Sequence, residues 1–343
     1  MTLQTSAQMQ IAKAIEFHNV SIVFGNHPQR ALPLMDAGKS RADVQVATGQ
    51  VLGVHDCSLT VAAGEILVLM GLSGSGKSTL LRGVNALNPV VRGHVTVHTP
   101  EGPVNVTAAT PDALRGIRQR HVAMVFQQFG LLPWRSVREN VGLGLELAGM
   151  DRAARAAKID AQLALVGLSD WADRRVGELS GGMQQRVGLA RAFATDAPIL
   201  LMDEPFSALD PLIRTRLQDE LLDLQARLNR TILFVSHDLD EAFKLGNRIA
   251  IMEGGRIVQC GTPAQIFRAP ATDYVAEFVA HMNPLAVLTA TDVAVPGAGG
   301  SRVIAGETPL SEVMRLLAQD PDPLSVDGAR IAPSDVMARL TKV

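Results

Sequence analysis

The pattern that most clearly predicts chemistry is a glycine-rich loop at residues 71–79. It reads GLSGSGKST after the apolar segment ILVLM, so it matches G-x-x-x-x-G-K-[ST] in a strand–loop–helix context. Glycines let successive backbone N–H groups turn towards a phosphate chain at the positive end of the next helix. We expect the whole loop to contact a nucleotide, with Lys77 on the β- and γ-phosphates and the Ser78 hydroxyl on magnesium. Its members are Gly71, Leu72, Ser73, Gly74, Ser75, Gly76, Lys77, Ser78 and Thr79.

Two adjacent carboxylates, Asp203 and Glu204, end the apolar segment ILLM. Side chains alternate along a strand, so the two carboxylates point to opposite sides of the sheet. Burying a charge is costly, so a function must explain their position at the end of a buried strand. A strand that has simply reached solvent is one explanation, but the phosphate loop upstream favours a nucleotide–magnesium site. Asp203 is then predicted to hold the metal, mainly through water, and Glu204 to polarise the attacking water.

A second anion-binding helix start is encoded at residues 179–186, LSGGMQQR. Ser180, Gly181 and Gly182 would open the helix MQQRVGLARAFA and present its N-terminus to an anion. An ordinary capped helix would be sufficient to explain Ser-Gly-Gly by itself. A single ATP in one chain, however, does not require a second anion-binding helix N-terminus in addition to the phosphate loop. The full motif resembles the signature sequence of the ABC ATPases. That resemblance implies that these three residues complete the nucleotide site of a second, identical subunit.

The same resemblance assigns four further residues. Gln127, in MVFQQFG, corresponds to the glutamine that reaches magnesium and the attacking water. Asp210, in SALD, belongs to a loop that crosses the dimer interface, and His237, in FVSHD, would touch the γ-phosphate and steady Glu204. Phe24 is expected to stack on the adenine ring. The alternative is that Phe24 is an aromatic residue of the strand core, which would show the same sequence pattern. The implied reaction is hydrolysis of ATP with Mg²⁺, in which Glu204, His237, Gln127 and Lys77 are the catalytic residues.

The elements that must position these residues predict an α/β fold. Residues 15–24 alternate as a half-buried strand, a helix start follows at Ser40, and strands return over residues 54–70. Residues 128–178 read as helical, and strands alternate with helices up to about residue 261. We expect a P-loop ATPase core with a mostly parallel sheet, an antiparallel N-terminal β portion, a helical subdomain and a short C-terminal extension.

The chain therefore divides into a nucleotide-binding domain over residues 1–281 and an extension over residues 282–343. The first contains a helical subdomain at about 128–178 and an N-terminal insert at about 26–50. The extension has Pro- and Gly-rich joints between short amphipathic pieces. Its length leaves room for a reduced regulatory module or an inert cap.

Composition excludes several other classes. Of 343 residues, 47% are hydrophobic and 19% charged, which is typical of a globular chain. A net charge of −2 gives no basic surface for nucleic acid. Cys57 and Cys260 have no metal-ligand spacing, which favours a reducing compartment. The first 17 residues lack a signal-peptide pattern, and no apolar run is long enough to span a membrane.

The insert, together with FGLLPWRSVRENV and the signature region, is similar to the glycine betaine/proline/choline class of importer ATPases, and most to its choline members. The resemblance implies a homodimer on the cytoplasmic face of the plasma membrane, bound to integral-membrane permease subunits and served indirectly by a substrate-binding protein. Leu131, Leu132 and Trp134 would form an apolar permease-docking groove, or else pack in the helical core. Two other functions remain possible at this point: a soluble non-transport ABC ATPase and a non-enzymatic, nucleotide-gated scaffold. The scaffold is disfavoured because the carboxylate expected to support hydrolysis, Glu204, is present.

Overall fold

The computed structural model describes residues 12–280 and 283–340. It forms two compact units. The first comprises the described part of Met1–His237 together with Met252–Ile257, and the second comprises Asp238–Ile251 and the described part of Val258–Val343. The predicted domain boundary between residues 281 and 282 lies outside the described residues. So do residues 1–11, which make up most of the N-terminal segment that is predicted not to be a signal peptide.

The first unit opens with an antiparallel sheet, as predicted. Its strands are β1 (Lys13–Phe24), β2 (Val51–Ala62), β4 (Arg92–Thr99) and β5 (Gly102–Asn105), in the order β2-β1-β4-β5. β1 pairs with β2 from Lys13 opposite Ala62 to Phe24 opposite Val51. This register leaves Phe24 at the very end of the sheet.

The insert between β1 and β2 folds as a 3₁₀ turn (Pro28–Ala31) and two helices, α1 (Leu32–Asp36) and α2 (Arg41–Thr48). The predicted helix start at Ser40 is confirmed, because its side chain and that of Asp43 form a reciprocal capping box. Gly49 ends α2 with a φ of 70°, a left-handed conformation that suits glycine. Ala31, Met35 and Val44 form a small core with Val23 and Leu52, which fixes the insert to the sheet.

A second, parallel sheet contains β3 (Ile66–Met70), β6 (Val122–Val125), β7 (Ile199–Asp203) and β8 (Thr231–Val235). β3 pairs with β8, β8 with β7 and β7 with β6. Every residue of β3, β7 and β8 is buried, which explains their continuous apolar runs. Their carboxyl ends carry the phosphate loop, the Asp203–Glu204 pair and His237.

The helix after the phosphate loop is shorter than the segment TLLRGVNAL predicts. α3 spans Lys77–Leu81, and the chain then continues in turns. The amides of Gly83 and Val84 bond three residues back instead of four, and Ala86 has a φ of 53°. Glycine and asparagine in this stretch are weak helix formers, so the tighter turns prevail.

The remaining helices of the first unit follow β5 in chain order. They are α4 (Pro111–Gly116), α5 (Val137–Val141), α6 (Leu143–Leu147), α7 (Arg152–Leu165), α8 (Gly181–Ala194) and α9 (Pro211–Leu228). A π turn (Ile117–His121) follows α4, and 3₁₀ turns lie at Ser169–Trp171 and Val176–Glu178. α5 and α7 pack against α8. Residues 128–178 are thus mainly helical, as expected.

The second unit has its own helices and core. Its helices are α10 (Leu239–Leu245), α11 (Pro263–Arg268), α12 (Asp273–Val279), α13 (Ala290–Val293), α14 (Leu310–Gln319) and α15 (Pro333–Leu340). A 3₁₀ turn (Pro284–Ala286) precedes α13. β11 (Arg302–Val303) pairs in parallel with β12 (Leu324–Val326), which pairs antiparallel with β13 (Ala329–Ile331). Leu288, Val313 and Ile331 lie in its buried core.

The remaining strands are β9 (Arg248–Glu253) and β10 (Arg256–Gly261). The boundaries of the two units fall within these strands, because Met252–Ile257 belongs to the first unit and the rest of both strands to the second. Neither Cys57 nor Cys260 is in a disulfide bond, and burial raises the pKa of the Cys57 thiol to about 11. No helix within residues 12–280 and 283–340 has the length and apolarity that crossing a bilayer requires.

Candidate functional site

The phosphate loop is held in a conformation that only glycine permits at two points. Gly71 has a φ of 136°, and a side chain there would clash with the carbonyl of Met252. Gly76 has a φ of 102°, and its Cβ would lie 2.6 Å from the carbonyl oxygen of Gly53. The loop therefore packs tightly against its neighbours at both glycines.

Lys77 is buried at this start, and its ammonium donates to the carbonyl oxygens of Gly71 and Leu72 at 2.7 and 3.0 Å. Burial lowers the pKa of Lys77, while the charges of Glu204 and Asp203 oppose that shift. The ammonium group thus lies within the loop with backbone dipoles as its contacts. A phosphate chain would supply stronger, charge-assisted bonds.

The loop forms one wall of a cleft of about 670 Å³. The cleft brings together predicted residues from five distant segments, which are Phe24, Ser73, Gly74, Gly76, Lys77, Ser78, Thr79, Gln127, Glu204 and His237. Arg41 and Gly53 also line it. Most of the residues that the sequence assigned to one nucleotide therefore share one cavity.

Glu204 receives two side chains at a single carboxylate oxygen. Gln127 Nε2 donates to Glu204 Oε2 at 3.1 Å, and His237 Nδ1 lies 3.4 Å from the same oxygen. The backbone of Glu204 has a φ of 49°, a left-handed value that costs about 1–3 kcal/mol for a non-glycine residue. Its amide donates to the Val235 carbonyl, and its own carbonyl accepts from Ser207 Oγ. These bonds hold the carboxylate at the cleft despite the strained backbone.

Asp203 is fully buried and lies behind the phosphate loop. Ser78 Oγ donates to its Oδ1 at 2.6 Å, and Arg82 donates to its Oδ2 through Nε and Nη2 at 3.1 and 2.8 Å. The guanidinium compensates a carboxylate that would otherwise be buried at high cost. The hydroxyl of Ser78, the carboxylate of Asp203 and the amide oxygen of Gln127 are hard oxygen donors, the set that suits magnesium.

Phe24 is not a core residue, since 38% of its surface is exposed. A Cβ on Gly53 would lie 2.9 Å from the Phe24 ring and 2.9 Å from the Thr79 methyl group. The ring therefore lies over a glycine at the mouth of the cleft. This leaves its face available for stacking and disfavours the reading of Phe24 as a core aromatic.

Eight predicted residues are not among those that line this cleft. Gly71, Leu72, Ser75 and Asp203 belong to the adjoining phosphate loop and strand end, whereas Ser180, Gly181, Gly182 and Asp210 lie elsewhere. Ser180 caps α8 by accepting from the Met183 amide at 3.4 Å, and Gly181 follows it. Gly182 packs so closely that its Cβ would be 3.0 Å from the Ala208 carbonyl oxygen. Asp210 caps α9 by accepting from the Ile213 amide at 3.0 Å. The signature and the 207–210 loop therefore adjoin each other, with Ser180, Gly181 and Asp210 exposed.

A half-buried arginine on α8 joins the signature helix to the segment that follows Gln127. Arg191 donates to the carbonyls of Gly130 and Phe129 at 2.7 and 3.1 Å. Phe129 has a φ of 56°, and its ring lies 3.8 Å from the Cβ position of Gly181. Burial lowers the pKa of Arg191, and the carbonyl groups provide its hydrogen bonds. α8 is thus hydrogen-bonded to the backbone two and three residues after Gln127.

A second cleft, of about 700 Å³, lies among the helices and includes Trp134, of which 65% is exposed. Its other walls are largely charged, with Arg135 donating to Glu146 at 2.8 Å and Arg138 donating to Asp160 at 2.6 Å beside it. Leu131 and Leu132 are half-buried and are not among the lining residues. The expectation of an apolar groove at this position is wrong, because paired charges line it.

Sequence reasoning did not identify Arg41, Arg82 or Arg191. Arg41 is the first residue of the predicted helix at Ser40, and Arg82 is five residues beyond Lys77, within one or two helical turns of the phosphate loop. Helical spacing offered a signal for Arg82, whereas Arg41 and Arg191 act through contacts between distant segments.

Comparisons with known proteins agree with this geometry. The family model described as ABC transporter matches residues 54–207. The glycine betaine/proline betaine transport system ATP-binding protein ProV of Escherichia coli (strain K12) is 49% identical over 284 residues, which cover 83% of this chain and 70% of ProV.

Two further relatives extend the comparison. The trimethylamine N-oxide transport system ATP-binding protein TmoW of Ruegeria pomeroyi is 45% identical over 308 residues, which cover 89% of each chain. The solved dimeric structure of MJ0796, a bacterial ABC transporter cassette, superposes with a TM-score of 0.63 at 28% identity, over 72% of this chain and 98% of that chain.

Proposed function

The chain belongs to the ABC transporter family of ATP-binding proteins, and we propose that it drives the import of compact quaternary amines through a separate membrane permease. As a member of that family it is an ATPase. The relatives are transport subunits, so a soluble non-transport ATPase is not proposed. The observation that carries the proposal is the cleft in which Glu204, Gln127 and His237 face the phosphate loop.

In the proposed mechanism the loop amides and Lys77 bind the phosphates of ATP, and Phe24 stacks on adenine. Glu204 accepts a hydrogen bond from the attacking water and polarises it towards the γ-phosphate. Gln127 and His237 hold the carboxylate in place. Magnesium, when bound by Ser78, Asp203 and Gln127, neutralises charge on the phosphates.

The proposed working unit is a homodimer in which each ATP lies between two chains. Ser180, Gly181 and Gly182 of one protomer would donate the N-terminus of α8 to the γ-phosphate held by the other, and Asp210 would lie at the same interface. A two-fold axis makes both sites identical. The exposure of Ser180, Gly181 and Asp210 supports this assignment, since none of them is needed in the cleft of its own chain.

We assign permease docking to the cleft at Trp134. An exposed tryptophan beside paired arginines and glutamates suits a partner segment that is apolar at its centre and polar at its rim. The connection from Arg191 to the Gln127 segment gives a route from α8 to the catalytic carboxylate. The permease would place the chain at the cytoplasmic face of the membrane, with a substrate-binding protein on the other side.

The substrate class follows by lineage, because the ATPase does not itself contact the cargo. ProV and TmoW are named for glycine betaine, proline betaine and trimethylamine N-oxide. These molecules share a fully substituted, positively charged nitrogen. Choline carries the same group and remains part of the proposal.

Uptake by proteoliposomes that contain this subunit, its permease and its binding protein tests the proposal. We expect ATP-dependent accumulation of radiolabelled glycine betaine or choline, competed by other quaternary amines and absent with Glu204→Gln. Accumulation restricted to a substrate without a fully substituted nitrogen would contradict the substrate class. ATP hydrolysis without a permease that co-purifies would contradict the transport role.

A further inference from the structure

The insert between β1 and β2 delivers a cation to the nucleotide cleft. Arg41, the first residue of α2, lines the cleft, and its guanidinium donates to the carbonyl oxygens of Gly74 and Gly53. Gly74 belongs to the phosphate loop, and Gly53 lies beneath the ring of Phe24. The Arg41 head group is therefore located between the expected phosphate and adenine regions.

The Arg41 charge has no anionic partner within the residues that the structure describes. Its pKa is lowered by burial alone, without an opposing carboxylate. Its Nε is buried and forms no hydrogen bond. A partly buried cation with an unsatisfied donor is unfavourable unless an anion approaches it.

The second cation that lines the cleft, Lys77, is in a comparable situation. It too donates to carbonyl oxygens of the phosphate loop. Lys77 is the expected partner of the nucleotide phosphates, so carbonyl bonds in this cleft are compatible with a cation that binds phosphate. Arg41 differs in that it comes from the insert and has no carboxylate acting on its charge.

The insert holds Arg41 firmly enough for such a role. The capping box of Ser40 and Asp43 fixes the first turn of α2, and Val44 packs into the core with Val23 and Leu52. The arginine thus starts from a defined backbone position and needs only side-chain rotation to reach a ligand. Little conformational entropy is lost when it does so.

We propose that Arg41 is a second phosphate-binding cation of the nucleotide site, which exchanges its carbonyl contacts at Gly53 and Gly74 for the phosphate chain of ATP. This inference rests on the proposed position of ATP in the cleft. It assigns to the insert a direct part in nucleotide affinity. An alternative, in which Arg41 only ties the insert to the loop, makes different predictions.

Equilibrium titration of the full chain with a fluorescent ATP analogue and Mg²⁺ tests the assignment. Arg41→Gln should weaken binding about tenfold, the loss of roughly one charge-assisted hydrogen bond. The dependence of Kd on salt should also become less steep, because one cation no longer meets the phosphates. Arg41→Lys should retain most of the affinity, since lysine also binds phosphate as a point charge.

Lys39→Gln is the matched control, because it removes one positive charge from the same insert at an exposed position outside the cleft. Its affinity should stay within twofold of the wild type. In ATPase assays Arg41→Gln should raise KM and leave kcat at saturating ATP within about twofold, as expected when ground-state and transition-state binding are lost together.

Three results would overturn the assignment to Arg41. They are unchanged affinity in Arg41→Gln, equal losses in Arg41→Gln and Lys39→Gln, or an Arg41→Lys defect as large as that of Arg41→Gln. The last is the outcome for a structural tie, because lysine cannot reproduce the guanidinium geometry on two carbonyls. Failure of the wild type itself to bind ATP would instead contradict the proposed function.

Discussion

The Ser78 hydroxyl donates a 2.6 Å hydrogen bond to Asp203 Oδ1 and so joins the phosphate loop to the carboxyl end of β7. The two residues are 125 positions apart in the chain, and both are proposed magnesium ligands. The bond holds the oxygens of two proposed magnesium ligands within 2.6 Å of each other. Such preorganisation reduces the cost of assembling the site around a nucleotide.

The buried ion pair between Arg82 and Asp203 leads to a prediction about stability. Arg82→Ala leaves a fully buried carboxylate without its guanidinium. The free energy of unfolding should fall by about 2–3 kcal/mol, the loss of charged hydrogen bonds to a buried group. Urea denaturation in the presence of a chelator and without nucleotide measures it. In an Asp203→Asn background the same substitution should cost less than about 1 kcal/mol. Equal losses in the two backgrounds would show that the pair is not the cause.

A second prediction concerns Glu204. Glu204→Gln keeps the size of the side chain and an oxygen that can accept from Gln127, so ATP affinity should change less than about threefold. The amide cannot polarise water as a carboxylate does, and kcat should fall at least about a hundredfold. We expect size-exclusion chromatography with ATP to show a stable dimer of this variant. Near-normal steady-state hydrolysis would rule out the assigned role of Glu204.

The elements that carry the candidate site could be predicted from the sequence, whereas the tertiary contacts around the site could not. The strand before the phosphate loop, the strand before Asp203 and the capped helix at Ser180 all have strong local signals, namely apolar runs, glycines and capping residues. These signals act within a few residues of the chain. The structure accordingly agrees with them to within a residue or two.

The interactions that sequence reasoning missed depend on tertiary packing. Arg41 reaches Gly74 across 33 positions, and Arg191 reaches Gly130 across 61. Nothing local distinguishes these arginines from solvated ones. The left-handed backbone of Glu204 was equally hidden, because it is imposed by bonds to Val235 and Ser207 and not by the residue type.

Another prediction concerns His55, which should contribute to the loss of folding stability at acid pH. This histidine is 4% exposed, and burial, reinforced by the charge of Arg256, lowers its pKa, while Asp36 opposes the shift. The unfolded chain then binds the proton more readily than the folded chain does. The stabilisation from neutral His55 is complete above its usual pKa of about 6.5 and is lost as the pH falls below it.

Thermal unfolding between pH 8 and pH 5 tests this point. His55→Gln should lower the melting temperature at neutral pH yet reduce its dependence on pH in the acid range. His27→Gln, at an exposed histidine of the same unit, is the control and should leave the pH profile unchanged. Parallel profiles for the wild type and His55→Gln would refute the contribution of His55.

Complementation between two inactive variants tests whether each site is shared between two chains. Lys77→Ala removes the cation of the phosphate loop and should weaken ATP binding by about two orders of magnitude. Ser180→Arg places a bulky charge at the exposed start of α8 and should abolish hydrolysis while leaving ATP affinity nearly intact. Lys158→Ala, at a partly exposed lysine that pairs with Asp196 outside the cleft, is the control for Lys77→Ala and should bind ATP normally.

Each variant alone should be inactive, whereas their mixture should recover hydrolysis. In a mixed dimer the intact phosphate loop of the Ser180→Arg chain faces the intact signature of the Lys77→Ala chain, so one complete site forms. With random pairing about half of the dimers are mixed and each has one of two sites, so activity near a quarter of the wild type is expected. No recovery at any mixing ratio, with both variants folded and mixed dimers demonstrated by tagged pull-down, would contradict the shared site.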